Sequence, residues 1–215
     1  KDIEFFGKIT ASMTHEFKNV LAIIKESAGL MEDITKIAPL SESRHQEKLD
    51  NALKTIKNQL DRGMELSTVF NRFAHAPDKS VTEINLAHLA EQVVTLSKRF
   101  ARLKHITLEA APPEETRPNP QIQGNPVWHQ LAVFTGIECC LNALGADSVV
   151  SLTSESCQEE KCIRLDCTEA AGDADQLPHA IKATQAWEEL GAVMKALDGR
   201  IQWLDNSSGF RLIFQ

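Results

Sequence analysis

Two amphipathic stripes, each about 30 residues long and separated by a short proline-containing turn, constrain this chain more than any other feature. In the first, Phe6, Ile9, Met13, Phe17, Val20, Ile24, Met31 and Ile34 recur at spacings of three and four, with one gap over Ser27 and Ala28. In the second, Leu49, Leu53, Ile56, Leu60, Met64, Ser67 and Phe70 do the same. Such spacing places apolar side chains along one face of a helix. Helices are therefore expected over residues 3–37 and from Ser43 to Ala74, with Pro39 and its neighbouring serines in the turn and Pro77 closing the second. A lone two-helix hairpin cannot cover its own stripe, whereas two hairpins paired into a four-helix bundle can. A homodimer is expected, with residues 1–76 as the dimerising unit.

Beyond Pro77 the pattern breaks into short elements. Val81–Leu86, Ile106–Ala110 and Gln121–Gln123 read as strands, and Ala87–Leu103 and Asn125–Leu144 as helices. Ser148–Ser154 and Cys162–Thr168 read as a hairpin turning at Gln158–Lys161. Leu177–Leu197 is mostly helix, ended by Asp198-Gly199, and Arg200–Asp205 with Gly209–Phe214 forms a last hairpin across Asn206-Ser207-Ser208. This order predicts an α+β fold: a helical hairpin followed, over residues 77–215, by a sandwich with helices on one face of a sheet.

With 42% hydrophobic and 25% charged residues among 215, the chain has the make-up of a folded protein rather than a disordered one. No apolar run approaches the roughly 20 residues of a membrane-spanning helix, so no direct membrane contact is expected. The chain starts at Lys1 and reads as a piece of a longer protein. The net charge of -7 and the lack of a basic stripe argue against nucleic acid as a partner. Residues 1–76 are neutral, with 11 basic and 11 acidic side chains. Residues 154–175 hold seven acids against Lys161 and Arg164, a net of -5. Five cysteines, an odd number with no secretory signal, point to reduced thiols and a cytoplasmic location. Cys157, Cys162 and Cys167 have no standard zinc spacing and read as small, partly buried residues on neighbouring strands.

The chemistry concentrates in Thr14-His15-Glu16-Phe17-Lys18-Asn19. His15 lies two positions from both Met13 and Phe17, about 200° around a helix from each, so its imidazole faces away from the seam. Glu16 adjoins it in sequence and Asn19 shares its face one turn on. A carboxylate beside an exposed imidazole can hold the proton of one ring nitrogen and leave the other nucleophilic.

His-Glu-Phe-Lys-Asn within a long helical hairpin, ahead of an α+β domain, resembles the sensor histidine kinases of two-component signalling. The resemblance implies that His15 is the phospho-acceptor, Glu16 its acid/base partner and Asn19 a group that positions water when phosphate is removed from a partner. It implies a response-regulator receiver domain as that partner. The proline that usually follows the motif is Val20 here, so no kink is expected. More weakly, Glu138-Cys139-Cys140-Leu141-Asn142 resembles the family's ATP-site box, whose Asn142 position would coordinate magnesium.

The other nucleotide motifs depart from the family's pattern. Where an Asp-x-Gly-x-Gly belongs, the chain has Glu169-Ala170-Ala171-Gly172-Asp173, with Glu169 in place of the adenine-binding Asp. The glycine-rich turn that should open a helix onto the phosphates reads Thr184-Gln185-Ala186-Trp187-Glu188. Each lost contact to an anionic ligand costs about 1–3 kcal/mol. The expectation is phosphotransfer between His15 and a receiver aspartate, with a vestigial Mg-ATP site made of Glu138, Asn142 and Glu169. The alternatives are a genuine autophosphorylating sensor kinase fragment and a non-catalytic dimeric scaffold.

Overall fold

The computed structural model describes residues 2–37, 43–78, 80–111, 119–157, 160–168, 176–205 and 208–215. Two compact units emerge: Gly7–Phe73, and the first six residues together with Ala74–Gln215. Among the described residues no helix is long and apolar enough to cross a membrane.

The first unit holds most of two long helices, α1 (Asp2–Ile37) and α2 (Ser43–Ala74). They pack as a hairpin: Phe17 meets Phe70 with centroids 6.5 Å apart, and Val20 lies against Gly63, where an added Cβ would sit 3.4 Å from Val20 Cγ1. The α1 stripe behaves as its spacing predicts, with Ile9, Met13, Val20 and Ile34 buried. The α2 stripe splits. Ala52, Leu66 and Phe73 are buried, and Ile56, Gln59, Gly63 and Phe70 half-buried. Together with Leu49 they run at alternating spacings of three and four. Leu53, Leu60 and Met64, expected on the seam, are exposed at 42%, 52% and 63%. A count of apolar residues passes over Gln59 and Gly63, which hold seam positions, and so tilts the stripe by most of a residue.

The second unit is α+β. After a short 3-10 turn (Ala76–Asp78) come β1 (Thr82–Asn85), α3 (Leu86–Leu103), β2 (Thr107–Ala110), β3 (Gln121–Gly124) and α4 (Pro126–Ala143). Then follow β4 (Val149–Cys157), β5 (Glu160–Thr168), α5 (Leu177–Lys182), α6 (Gln185–Ala196), β6 (Arg200–Trp203) and β7 (Gly209–Phe214). Strands β1 and β3 pair with each other; the main sheet has the order β2-β4-β5-β7-β6. Among the described residues only β2 and β4 pair in parallel. Asn85 and Asn125 cap α3 and α4, each accepting backbone N–H bonds on its side-chain oxygen.

The β4–β5 hairpin is longer than its hydrophobic alternation suggests, reaching Cys157 and starting at Glu160, because polar pairs such as Ser156 with Lys161 continue the ladder. The helix expected over Leu177–Leu197 breaks at Thr184, which caps α6 by accepting from Trp187 N–H. Val150, Leu152, Ile163, Leu165, Phe210 and Leu212 share one face of the sheet and are buried, and α3, α4 and α6 are packed along it. Phe5 joins this core, its ring 5.0 Å from that of Phe134 on α4.

Candidate functional site

His15 sits in the middle of α1 and is exposed, as its position on the helix wheel dictates. Asn19, four residues on, is exposed as well. Glu16 is turned the other way. One residue is 100° on a helix, enough to carry its carboxylate into the seam, where its side chain is 7% exposed. Arg62 Nη2 on α2 donates to Glu16 Oε2 at 2.6 Å. The imidazole therefore stands on the surface while its sequence neighbour is held from below by a guanidinium on the other helix. No local sequence pattern marks Arg62 as the partner of Glu16. Its only signal was a lone cation between Gln59 and Gly63 on a line otherwise filled by uncharged residues.

The second region expected to bind a ligand lies on α4. Glu138 is half-buried and Asn142 exposed near the end of the helix. Lys104, just past α3, reaches across: its Nζ donates to Asn142 Oδ1 at 2.7 Å and to Leu141 O at 2.8 Å. Thr184 and Ala186 follow α5, and Trp187 stands in the first turn of α6. The Trp187 ring lies 5.1 Å from Trp203 and 5.5 Å from Phe210, and Lys182 Nζ sits 5.3 Å from the Trp203 ring centroid. Large aromatic rings thus pack where the resemblance calls for glycines. Glu169 and Ala171 lie outside the described residues.

Of the seven acids in residues 154–175, Glu155, Glu160 and Asp166 lie among the described residues and each has an arginine partner; Glu159, Glu169, Asp173 and Asp175 lie outside them. Arg164 donates to Glu155 at 2.6 Å and to Asp166 at 2.5 Å, Arg211 of β7 donates to Glu155 at 3.2 Å, and Arg200 of β6 pairs with Glu160. By strand alternation Glu155, Arg164, Asp166 and Arg211 share the sheet face opposite Leu165 and Phe210. A count along the sequence misses two of these arginines because β-pairing brings them to acids 40 and 56 residues away.

The described thiols are buried. Burial pushes Cys139, whose neighbour is Thr184, up to about 12. Cys140 is raised by its hydrogen bond to Cys167 and by burial. Both bind hydrogen within the core, in keeping with a packing role. Among the described residues no cluster of three or more His, Cys, Asp or Glu could hold a metal ion.

No family profile matches the chain, and no curated protein matches it. Solved structures do. The Acinetobacter baumannii histidine kinase AdeS is 12% identical, with 94% of this chain and 97% of that one covered and a TM-score of 0.46. Histidine kinase ThkA, solved in complex with the response regulator protein TrrA, is 18% identical, over 99% of this chain and 61% of that one, with a TM-score of 0.46. The histidine kinase domain of the Erythrobacter litoralis blue-light activated kinase is 10% identical, with 90% and 93% covered and a TM-score of 0.45.

Proposed function

We propose that this chain is a dimeric phosphotransfer protein of two-component signalling, in which His15 exchanges a phosphoryl group with the aspartate of a receiver domain. The observation that carries the reading is an exposed His15 in mid-helix, followed in sequence by a buried Glu16 that Arg62 holds. In transfer to the chain, an imidazole nitrogen attacks phosphorus, the acyl–phosphate bond breaks, and the receiver's carboxylate leaves with the bonding electrons. The ring then carries positive charge, and the Glu16 carboxylate, one residue on along α1, is the acid that would offset part of it. Arg62 holds the carboxylate in place, so Glu16 needs no reorganisation during the step. Phosphoryl transfer asks for positioning and charge stabilisation more than for covalent help, which suits a bare helix surface. Asn19, exposed one turn away, is the candidate for ordering a water that attacks the receiver's acyl phosphate, a hydrolysis separate from transfer.

In this reading Mg-ATP is not the donor. The residues at α4 and α6 do not fit it: the Asn142 oxygen that would face a magnesium ion accepts from the Lys104 ammonium, and Trp187 with its aromatic neighbours fills the opening of α6. The loss of glycine and the acidity of residues 154–175 both weigh against nucleotide binding in this reading.

The test is incubation of the chain with a panel of phosphorylated receivers, followed by detection of acid-labile phosphate. Label should pass to the wild type and not to His15→Ala, while Asn19→Ala should accept label and fail only to speed loss of phosphate from the receiver. Uptake by His15→Ala, or no donation from any receiver, favours the scaffold reading. Calorimetry with Mg-ATP should show a dissociation constant weaker than about 1 mM; micromolar binding would favour an autophosphorylating kinase.

A further inference from the structure

His75 and Asp78 form a second imidazole–carboxylate pair, distinct from His15. The chain leaves α2 at Ala74 and turns through the 3-10 segment Ala76–Asp78. His75 Nδ1 and Asp78 Oδ2 are 2.7 Å apart, and both side chains are about two-thirds exposed. Three features hold the pair on the backbone rather than on free side chains. Asp78 N–H donates to His75 O at 3.2 Å. Pro77 fixes its own φ between the two partners. Ala76 is buried at 5% exposure, and its turn packs on α4. His75 Nε2 has no partner among the described residues, so with the proton of Nδ1 directed at Asp78 its lone pair faces solvent.

We propose that His75 is a nucleophilic imidazole, open to modification by small activated phosphoryl donors. Its Nε2 lone pair attacks phosphorus. The bond from phosphorus to the leaving group breaks, and that group departs with the electron pair; for phosphoramidate it leaves as ammonia. The ring becomes cationic while Nδ1 keeps its proton, and the Asp78 carboxylate opposes the new charge. His88, His105 and His179 are exposed too, without such a carboxylate partner among the described residues. They are internal controls within the same chain.

The experiment treats the full chain carrying His15→Ala with phosphoramidate and follows phosphorylation of each histidine-containing peptide by mass spectrometry over time. His75 should label about threefold faster than the mean of His88, His105 and His179, the scale set by an exposed ion pair. Asp78→Asn should lower the His75 rate to theirs and leave theirs unchanged. A His75 rate no higher than the controls, or one that Asp78→Asn leaves intact, overturns the proposal. Because His15 is absent throughout, neither result bears on the receiver-transfer reading.

Discussion

Arg62 and Glu16 meet across the hairpin at 2.6 Å, with the Glu16 side chain 7% and the Arg62 side chain 36% exposed. Removing one partner of a buried ion pair leaves the other charge unpaired and costs about 3–5 kcal/mol when burial is complete. Half-open to solvent, this pair should lose less. Arg62→Ala is expected to destabilise the chain by about 1–3 kcal/mol and Glu16→Gln by less. Urea unfolding followed by far-ultraviolet circular dichroism measures both. The double variant should lose less than the sum of the singles; additive losses would mean that the two side chains do not stabilise one another.

Leu53, Leu60 and Met64 line a stripe on α2 that the hairpin leaves in water. Monomers seldom expose such a run without a partner for it. Sedimentation at micromolar concentration should give about twice 23.9 kDa, and Leu60→Glu with Met64→Glu should give the monomer mass. A wild type that sediments as a monomer would remove the case for the bundle.

Gly209 opens β7 beside β5, and a Cβ there would lie 1.9 Å from Leu165 O. The obstacle is backbone, so no rotamer change relieves it. Gly209→Ala should cost more than about 3 kcal/mol. Gly145 has no atom within 4 Å of its would-be Cβ. Gly145→Ala should be neutral or stabilise by roughly 0.4–1 kcal/mol, since alanine narrows the unfolded ensemble. Similar losses at both sites would contradict the packing at Gly209.

His129 is buried on α4 with Nδ1 2.7 Å from Asn125 O and its ring 5.1 Å from that of Phe214. Burial lowers its pKa below the ordinary 6.5. Above that value the imidazole is neutral whether the chain is folded or not, and it adds no pH dependence. As pH falls below 6.5 the unfolded chain takes up the proton first, so stability drops until the folded pKa is passed. Between pH 7.5 and 5.5 the urea midpoint of the wild type should fall further than that of His129→Gln. Equal slopes would show that His129 is not the group responsible.

Cys139, Cys140, Cys162 and Cys167 are all in the core. With Cys139 pushed up to about 12, it holds almost no thiolate at pH 8. A thiol-disulfide reagent at that pH should leave these four unmodified in the folded chain and react with them in denaturant. Rapid native labelling of Cys139, mapped by mass spectrometry, would show that the α4 core opens readily.

The amino-acid sequence by itself determined the order of elements and the exposure of His15, because both follow from the position of a residue relative to its near neighbours. Periodicities of two and 3.6 are local, as are the caps at Asn85, Asn125 and Thr184. The sequence also determined that no glycine opens α6. Tertiary structure decided what the candidate groups touch. Glu16 is adjacent to His15 along the chain, yet its carboxylate goes to Arg62, 46 residues away, because one residue on a helix is a change of face. Asn142 shares a helix with Glu138 but bonds to Lys104, delivered by the end of α3. The acids of β4 and β5 look uncompensated until β6 and β7 bring Arg200 and Arg211 alongside. In each case the missing partner comes from a distant segment, and only the packing of whole elements sets how such segments meet.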